Sequence, residues 1–179
     1  RRQTVKIIYQ SFAAKEPNEF ILCPYLLKEF RNRWFVFGSR AKDLVLYNLP
    51  LDRIISIEPV DVPFRDNPDF DPEHFFDDVI GVSKNIRNTP RRIRFWANEE
   101  QSKYIKTKPI HSSQKIIREN PEDGSHIFEI NVVINFEMYS IFMSYGPGVK
   151  IIHPRNVVSH MRDKLRAAAD LYNEENSID

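Results

Sequence analysis

The sequence predicts an α+β protein in which short antiparallel strands come first and strands alternating with helices follow. Three observations carry that expectation. Apolar side chains alternate in short runs over the first sixty residues, the period changes from about Pro90 onward, and an acidic, proline-punctuated stretch separates the two patterns. With 179 residues, 41% of them hydrophobic and 12% aromatic, the chain has material for one ordinary domain or two small ones.

In chain order, Thr4–Gln10 alternates like a half-buried strand, with Val5, Ile7 and Tyr9 on one side. Glu19–Leu27 is a second strand, entered through the loop at Pro17 and Asn18. A tight turn at Arg31 and Asn32 leads into a third over Arg33–Gly38. Asp43–Leu49 and Ile54–Val60 are the fourth and fifth, joined by a single helical turn over Pro50–Arg53. This spacing predicts a small, strongly bent antiparallel barrel over residues 1–62.

Residues 63–88 read as a linker, because Pro63, Pro68 and Pro72 interrupt a run of acids with little apolar content. A short helix is expected over Pro72–Val79, where proline suits the first turn and Phe75 and Phe76 pack it onto a neighbour. Residues 89–175 form the second domain. Arg91–Ala97 is a strand, and Asn98 caps a helix over Glu99–Lys106. Lys115–Arg118 and His126–Ile134 are strands joined across a turn at Pro121–Gly124. Phe136–Tyr145 is a helix stopped by Gly146-Pro147-Gly148, Val149–Ile152 is the last strand, and Pro154–Tyr172 is a long amphipathic helix. The order β-α-β-β-α-β resembles a ferredoxin-like split fold with one extra helix.

Net charge is +1, but it is unevenly spread: +4 over residues 1–60, −6 over 61–80 and +3 over the rest. The basic excess peaks between Lys28 and Lys42, where Lys28, Arg31, Arg33, Arg40 and Lys42 face only Glu29. Such a cluster either attracts a phosphate-bearing ligand or forms a solvated face. No apolar run approaches the ~18 residues of a membrane span, and none near the N-terminus reads as a signal peptide. Cys23 is the single cysteine, so no internal disulfide or Cys-rich zinc site is expected and a reducing cytoplasm fits.

Catalysis is not expected. His74, His111, His126, His153 and His160 are scattered without ligand spacing, and five glycines supply no phosphate-cradling loop. Asp77-Asp78 and Glu99-Glu100 are sequence neighbours, which point apart on a helix. No metal site and no cofactor are implied.

The distinctive residues are Arg33-Trp34-Phe35-Val36, preceded by Pro24-Tyr25-Leu26-Leu27-Lys28-Glu29-Phe30 and followed by Leu51-Asp52-Arg53-Ile54, with Ile8-Tyr9-Gln10-Ser11 on the first strand. Four such pieces in this order resemble a WYL domain. Arg91-Ile93-Phe95, then Gly146, Gly148-Val149-Lys150-Ile151, Pro154 and the closing helix, resemble its C-terminal extension, WCX. The resemblance spans nearly the whole chain. It implies an Sm-like barrel that binds an anionic nucleotide or single-stranded nucleic acid, within a dimeric bacterial transcriptional regulator. A winged helix-turn-helix that contacts operator DNA is expected ahead of Arg1. Two positions depart from the family pattern: its name-giving tyrosine is Phe35, and a basic position four residues before Pro24 is Phe20.

The residues expected at a ligand site are Tyr9, Ser11, Lys28, Arg33, Trp34, Arg40 and Arg53. Guanidinium forks match phosphate oxygens, so Arg33 and Arg53 lead. For Arg53 the other reading is a structural pair with Asp52 or Asp43. Trp34 reads as core filler ahead of ligand platform, Ser11 as hydroxyl donor or turn residue, and Lys28 as contact or solvated charge. A ligand-sensing regulatory module is expected first, a non-sensing dimerisation scaffold second, and an enzyme acting on nucleotides third.

Overall fold

A computed structural model describes residues 2–173. It holds two antiparallel sheets and three α-helices, in two compact units. One runs to Phe76 and includes Gly81–Asn88; the other takes Asp77–Ile80 and the chain from Thr89 onward. The C-terminal bound expected at residue 175 lies outside the described residues.

In the first unit, strands β1 (Val5–Tyr9), β2 (Asn18–Phe30), β3 (Arg33–Arg40), β4 (Leu46–Pro50) and β5 (Ile54–Pro59) form one sheet in the order β4-β3-β2-β1-β5. Arg31 and Asn32 make the two-residue hairpin turn between β2 and β3 with φ of 50° and 61°. That left-handed pair is what a tight hairpin requires, and asparagine tolerates it. The Glu29 carboxylate accepts the Asn32 amide at 2.6 Å and fixes the corner. The strands follow one another as a barrel needs, but the ladder does not close. β4 and β5 are the two edges, joined by the 3-10 turn Leu51–Arg53 rather than by paired backbone.

Alternation puts a core on each face of this sheet. Ile7, Tyr9, Leu22, Val36 and Leu49 pack on one side. On the other, Phe37 meets Phe70, Phe75 and Val82. The stretch expected to be a linker therefore supplies half of a core. Turns replace the short helix expected over residues 72–79. Side chains, not ladders, hold this stretch: Asn67 donates to Ser39 Oγ and to the Leu44 carbonyl, and Arg65 donates to the Ala41 carbonyl. Tyr25 donates its hydroxyl to the Arg65 carbonyl at 2.8 Å.

The second unit contains β6 (Arg91–Ala97), α1 (Glu99–Thr107), β7 (Lys115–Glu119), β8 (His126–Val132), α2 (Phe136–Ser144), β9 (Val149–His153) and α3 (Arg155–Asn173), with sheet order β7-β8-β6-β9. Both shorter helices start on asparagine caps: Asn98 accepts from the Gln101 amide and Asn135 from the Met138 amide, each at 2.8 Å. Ile93, Phe95, Phe128, Ile130 and Ile151 point from the sheet into a core completed by Met138, Phe142, Val157 and Met161 of the helices. Residues 77–80 dock here by backbone: the Asp78 carbonyl accepts from the Val133 amide at 2.7 Å.

Candidate ligand-binding rim

Five of the seven residues expected at a ligand site gather around the 3-10 turn Leu51–Arg53. The local chain dictates this. Tyr9 is opposite Ile54 in the β1–β5 ladder, and the Gln10 amide donates to the Arg53 carbonyl at 3.2 Å. Phe35 is opposite Pro50 in the β3–β4 ladder, which brings Arg33 and Trp34 to the same end of the sheet. Ser11 lies two residues beyond Tyr9, and its carbonyl accepts from Ala14 in a turn.

The side chains then differ. Tyr9 is buried, its ring centroid 6.3 Å from that of Phe20, and it serves as a core residue. Trp34 shares the Val36 face of β3, as strand alternation demands, yet it is 52% exposed. The expectation of Trp34 as core filler is therefore corrected: the strand end carries its indole past the last packed layer. Arg33 pairs through Nε with the Asp52 carboxylate at 3.2 Å, both side chains half exposed. Among the described residues Arg53 pairs with neither aspartate; its guanidinium sits 3.9 Å from the centre of the Phe12 ring. Under that ring the Arg53 Nε is buried and has no hydrogen-bond partner.

Lys28 and Arg40 lie elsewhere. Lys28 is opposite Phe35 and places Nζ 4.9 Å over the Phe76 ring, on the Phe37 side of the sheet. Arg40 is seven residues along β3 from Arg33, roughly 23 Å at strand rise. There it clamps Asp43 through two donors, Nε at 2.9 Å and Nη2. Those hydrogen bonds hold the Asp43 carboxyl down at about 2. Asp52 and Asp43 do pair with arginines, but with Arg33 and Arg40 instead of Arg53. Phe12, which sequence reasoning passed over, is the missed member: 82% exposed in the loop after β1, with only its neighbour Ser11 to signal it.

The two rim arginines differ in what holds them. An exposed Arg–Asp pair contributes about 0–1 kcal/mol, whereas hydrogen bonds to charged groups contribute about 1.5–3 kcal/mol. A buried donor without an acceptor, as at Arg53 Nε, costs about 1–3 kcal/mol. No group of three or more His, Cys, Asp or Glu among the described residues is arranged to hold a metal ion. No described helix is long and apolar enough to cross a membrane.

Comparison with known proteins gives two family matches. The WYL domain model matches residues 1–59 and the WCX domain model residues 89–169. Among solved structures, a CRISPR Cas-related protein aligns over 98% of this chain and 49% of its own, with TM-score 0.57 and 12% identity. It shares the fold. Proteasome accessory factor B/C of Arthrobacter aurescens aligns over 99% of this chain and 28% of its own, with TM-score 0.41 and 15% identity. The chain thus spans about half or less of each. A search of the curated proteins finds no match.

Proposed function

The chain carries a WYL domain followed by a WCX domain, and from that pairing we propose that it is the ligand-sensing region of a transcriptional regulator. The ligand is an anionic nucleotide or a short nucleic-acid strand held at the rim around Leu51–Arg53. Arg53 and Arg33 supply the cationic forks, and Phe12 and Trp34 supply faces on which a base can stack. One observation carries this reading: the Arg53 Nε is buried under Phe12 with no partner of its own. The strand order of the first sheet supports an Sm-like origin, and the β7-β8-β6-β9 order supports a ferredoxin-like second domain. Ligand binding would bias a dimer and so reposition operator-binding headpieces elsewhere in the full-length protein.

Calorimetric titration with cyclic nucleotides and short DNA strands tests the rim. Arg53→Ala is expected to weaken binding by at least about tenfold, with Arg33→Ala less affected because Asp52 already occupies it. Wild-type affinity in both variants overturns the reading.

A second reading, a scaffold that only assembles copies of itself, is favoured by one surface. Helix α3 exposes Leu165, Leu171 and Tyr172. Leu165 also lines a cleft of about 430 Å³ with Phe142, Val149, Ile151 and Met161. Sedimentation of the chain and of Leu165→Glu separates the readings: a scaffold needs that face to associate and binds no nucleotide.

A further inference from the structure

The second unit carries a separate cationic surface that the rim does not use. Its helices cover one face of the sheet. On β6 the buried residues are Ile93, Phe95 and Ala97, so Arg92, Arg94 and Trp96 point the other way. On β8 the buried residues Phe128 and Ile130 alternate with Ile127, Glu129 and Asn131. Register then assigns the outer strands: Lys115 faces Glu129, Arg118 faces Ile127, and Lys150 faces Trp96. The strand positions of the open face therefore bear five cations, Arg92, Arg94, Lys115, Arg118 and Lys150, against one acid, Glu129. Arg94 engages that acid through Nε at 2.7 Å. The other four are exposed and form no ion pair among the described residues.

Two clefts shape this face. One of about 440 Å³ is lined by Arg91, Arg92, Arg94, Asn131 and His153, with Glu129 at its wall. The other, about 230 Å³, sits beside Trp96 with Arg118, Asn120, Ile127 and Asp123. The indole and Ile127 form an apolar island between the cationic rows; Asp123 is an acid at its edge. Along β6, Arg92 and Arg94 are about 6.8 Å apart, and neighbouring strands lie about 4.8 Å away, so the cations form a grid flanking an aromatic. A double helix cannot present unstacked bases to such a surface. A single strand can, with its phosphates on the arginines and lysines and a base on the indole.

We propose that the open face of this four-stranded sheet is a second binding surface, for a single-stranded nucleic acid, distinct from the rim and independent of it. Charge complementarity selects the occupant: a face with five cations, four of them without a carboxylate partner, suits a phosphodiester strand. Asn131, exposed in the first cleft, offers donors and an acceptor to a base edge.

The test titrates the 179-residue chain with labelled DNA and RNA strands of one sequence, about 12 nucleotides long, between about 50 and 200 mM salt. Fluorescence anisotropy reads affinity, and comparison of the two sugars identifies which strand is preferred. Replacing Arg92, Arg118 and Lys150 together by alanine is expected to lower affinity by at least about tenfold and to reduce the log–log salt slope by about 2. These side chains are exposed, so the fold survives their loss, and far-ultraviolet circular dichroism checks it. The chain has two tryptophans, so Trp34→Phe leaves Trp96 as sole reporter. Its emission should be quenched on binding. An unchanged affinity and salt slope in the triple variant overturns the proposal, as does unquenched Trp96 at saturation. Loss confined to Arg53→Ala and Arg33→Ala assigns all binding to the rim and also overturns it. Loss in the triple variant with both rim variants intact upholds it while removing the rim.

Discussion

If residues 63–76 and 81–88 are part of the first unit's core, removing one ring from them must unfold that unit at lower denaturant. Phe70 is the sharpest probe. It is 7% exposed, and its ring centroid lies 4.8 Å from Phe75, 5.5 Å from Tyr25 and 6.4 Å from Phe37. Burying a phenylalanine side chain contributes about 1.5–3 kcal/mol by transfer alone. Phe70→Ala also leaves a void among rings that themselves pack on the rigid sheet, so the neighbours cannot collapse fully. The expected cost is about 3–5 kcal/mol. Small domains are stable by only about 5–15 kcal/mol, so the loss removes a large share. Urea unfolding followed by Trp34 emission in a Trp96→Phe background reads the first unit. Phe12→Ala, at an exposed site where the ring stacks on Arg53, is the control and should cost no more than about 1 kcal/mol. A Phe70→Ala loss below about 1 kcal/mol would refute the reasoning, because it would mean that the aromatic stretch merely rests on the sheet.

Two further outcomes follow from local geometry. A Cβ on Gly38 would stand 2.6 Å from the Cys23 carbonyl oxygen and 2.9 Å from the Pro24 Cα, both backbone, so β2 and β3 must separate. Gly38→Ala should cost about 1–3 kcal/mol, visible as a lowered Tm, and a shift equivalent to under about 0.5 kcal/mol contradicts the close approach. Burial lowers the His111 pKa below its usual 6.5, against the opposing pull of Asp78 and Asp77, and its Nδ1 accepts from the Ser113 amide at 3.2 Å. A folded-state pKa below the unfolded one means the unfolded chain binds the proton more readily. Stability from this site is thus full above about 6.5 and falls as pH drops through that value toward the lower folded pKa. Unfolding followed by Trp96 should show this decline, and His111→Gln should flatten it; identical profiles would disprove the assignment.

Where the sequence was legible, periodicity did the work. Arg91–Ala97 alternates strictly because one face is core and the other is open, and Asn98 stands where a helix needs an acceptor for its free amides. Residues 63–88 defeat that reading for a physical reason. Phe70, Phe75, Phe76 and Val82 reach the core from irregular backbone, so their spacing follows no period. What stabilises that backbone is side-chain hydrogen bonding from Asn67, Arg65 and Tyr25 to distant carbonyls and hydroxyls, which local patterning does not encode. Acids and prolines there describe the solvent side only.

Which strand residues meet at the Leu51–Arg53 end of the sheet was legible for five of the seven residues named, but how they pair was not. Strand order and the Leu51–Arg53 turn suffice to bring Tyr9, Ser11, Arg33, Trp34 and Arg53 to one end of the sheet, because neighbouring strands share register. Which arginine an aspartate takes is decided by side-chain direction on successive residues. Asp52 and Arg53 are adjacent in a tight turn and so diverge: Asp52 turns to Arg33, and Arg53 turns to Phe12. That divergence divides the two guanidinium groups into unlike states, one already neutralised by an exposed pair of small worth, the other stacked and short of an acceptor. On the proposed reading a ligand oxygen would gain more at Arg53 than at Arg33. The order of the two alanine variants, and not merely their effect, distinguishes a built anion site from two surface charges that happen to be near.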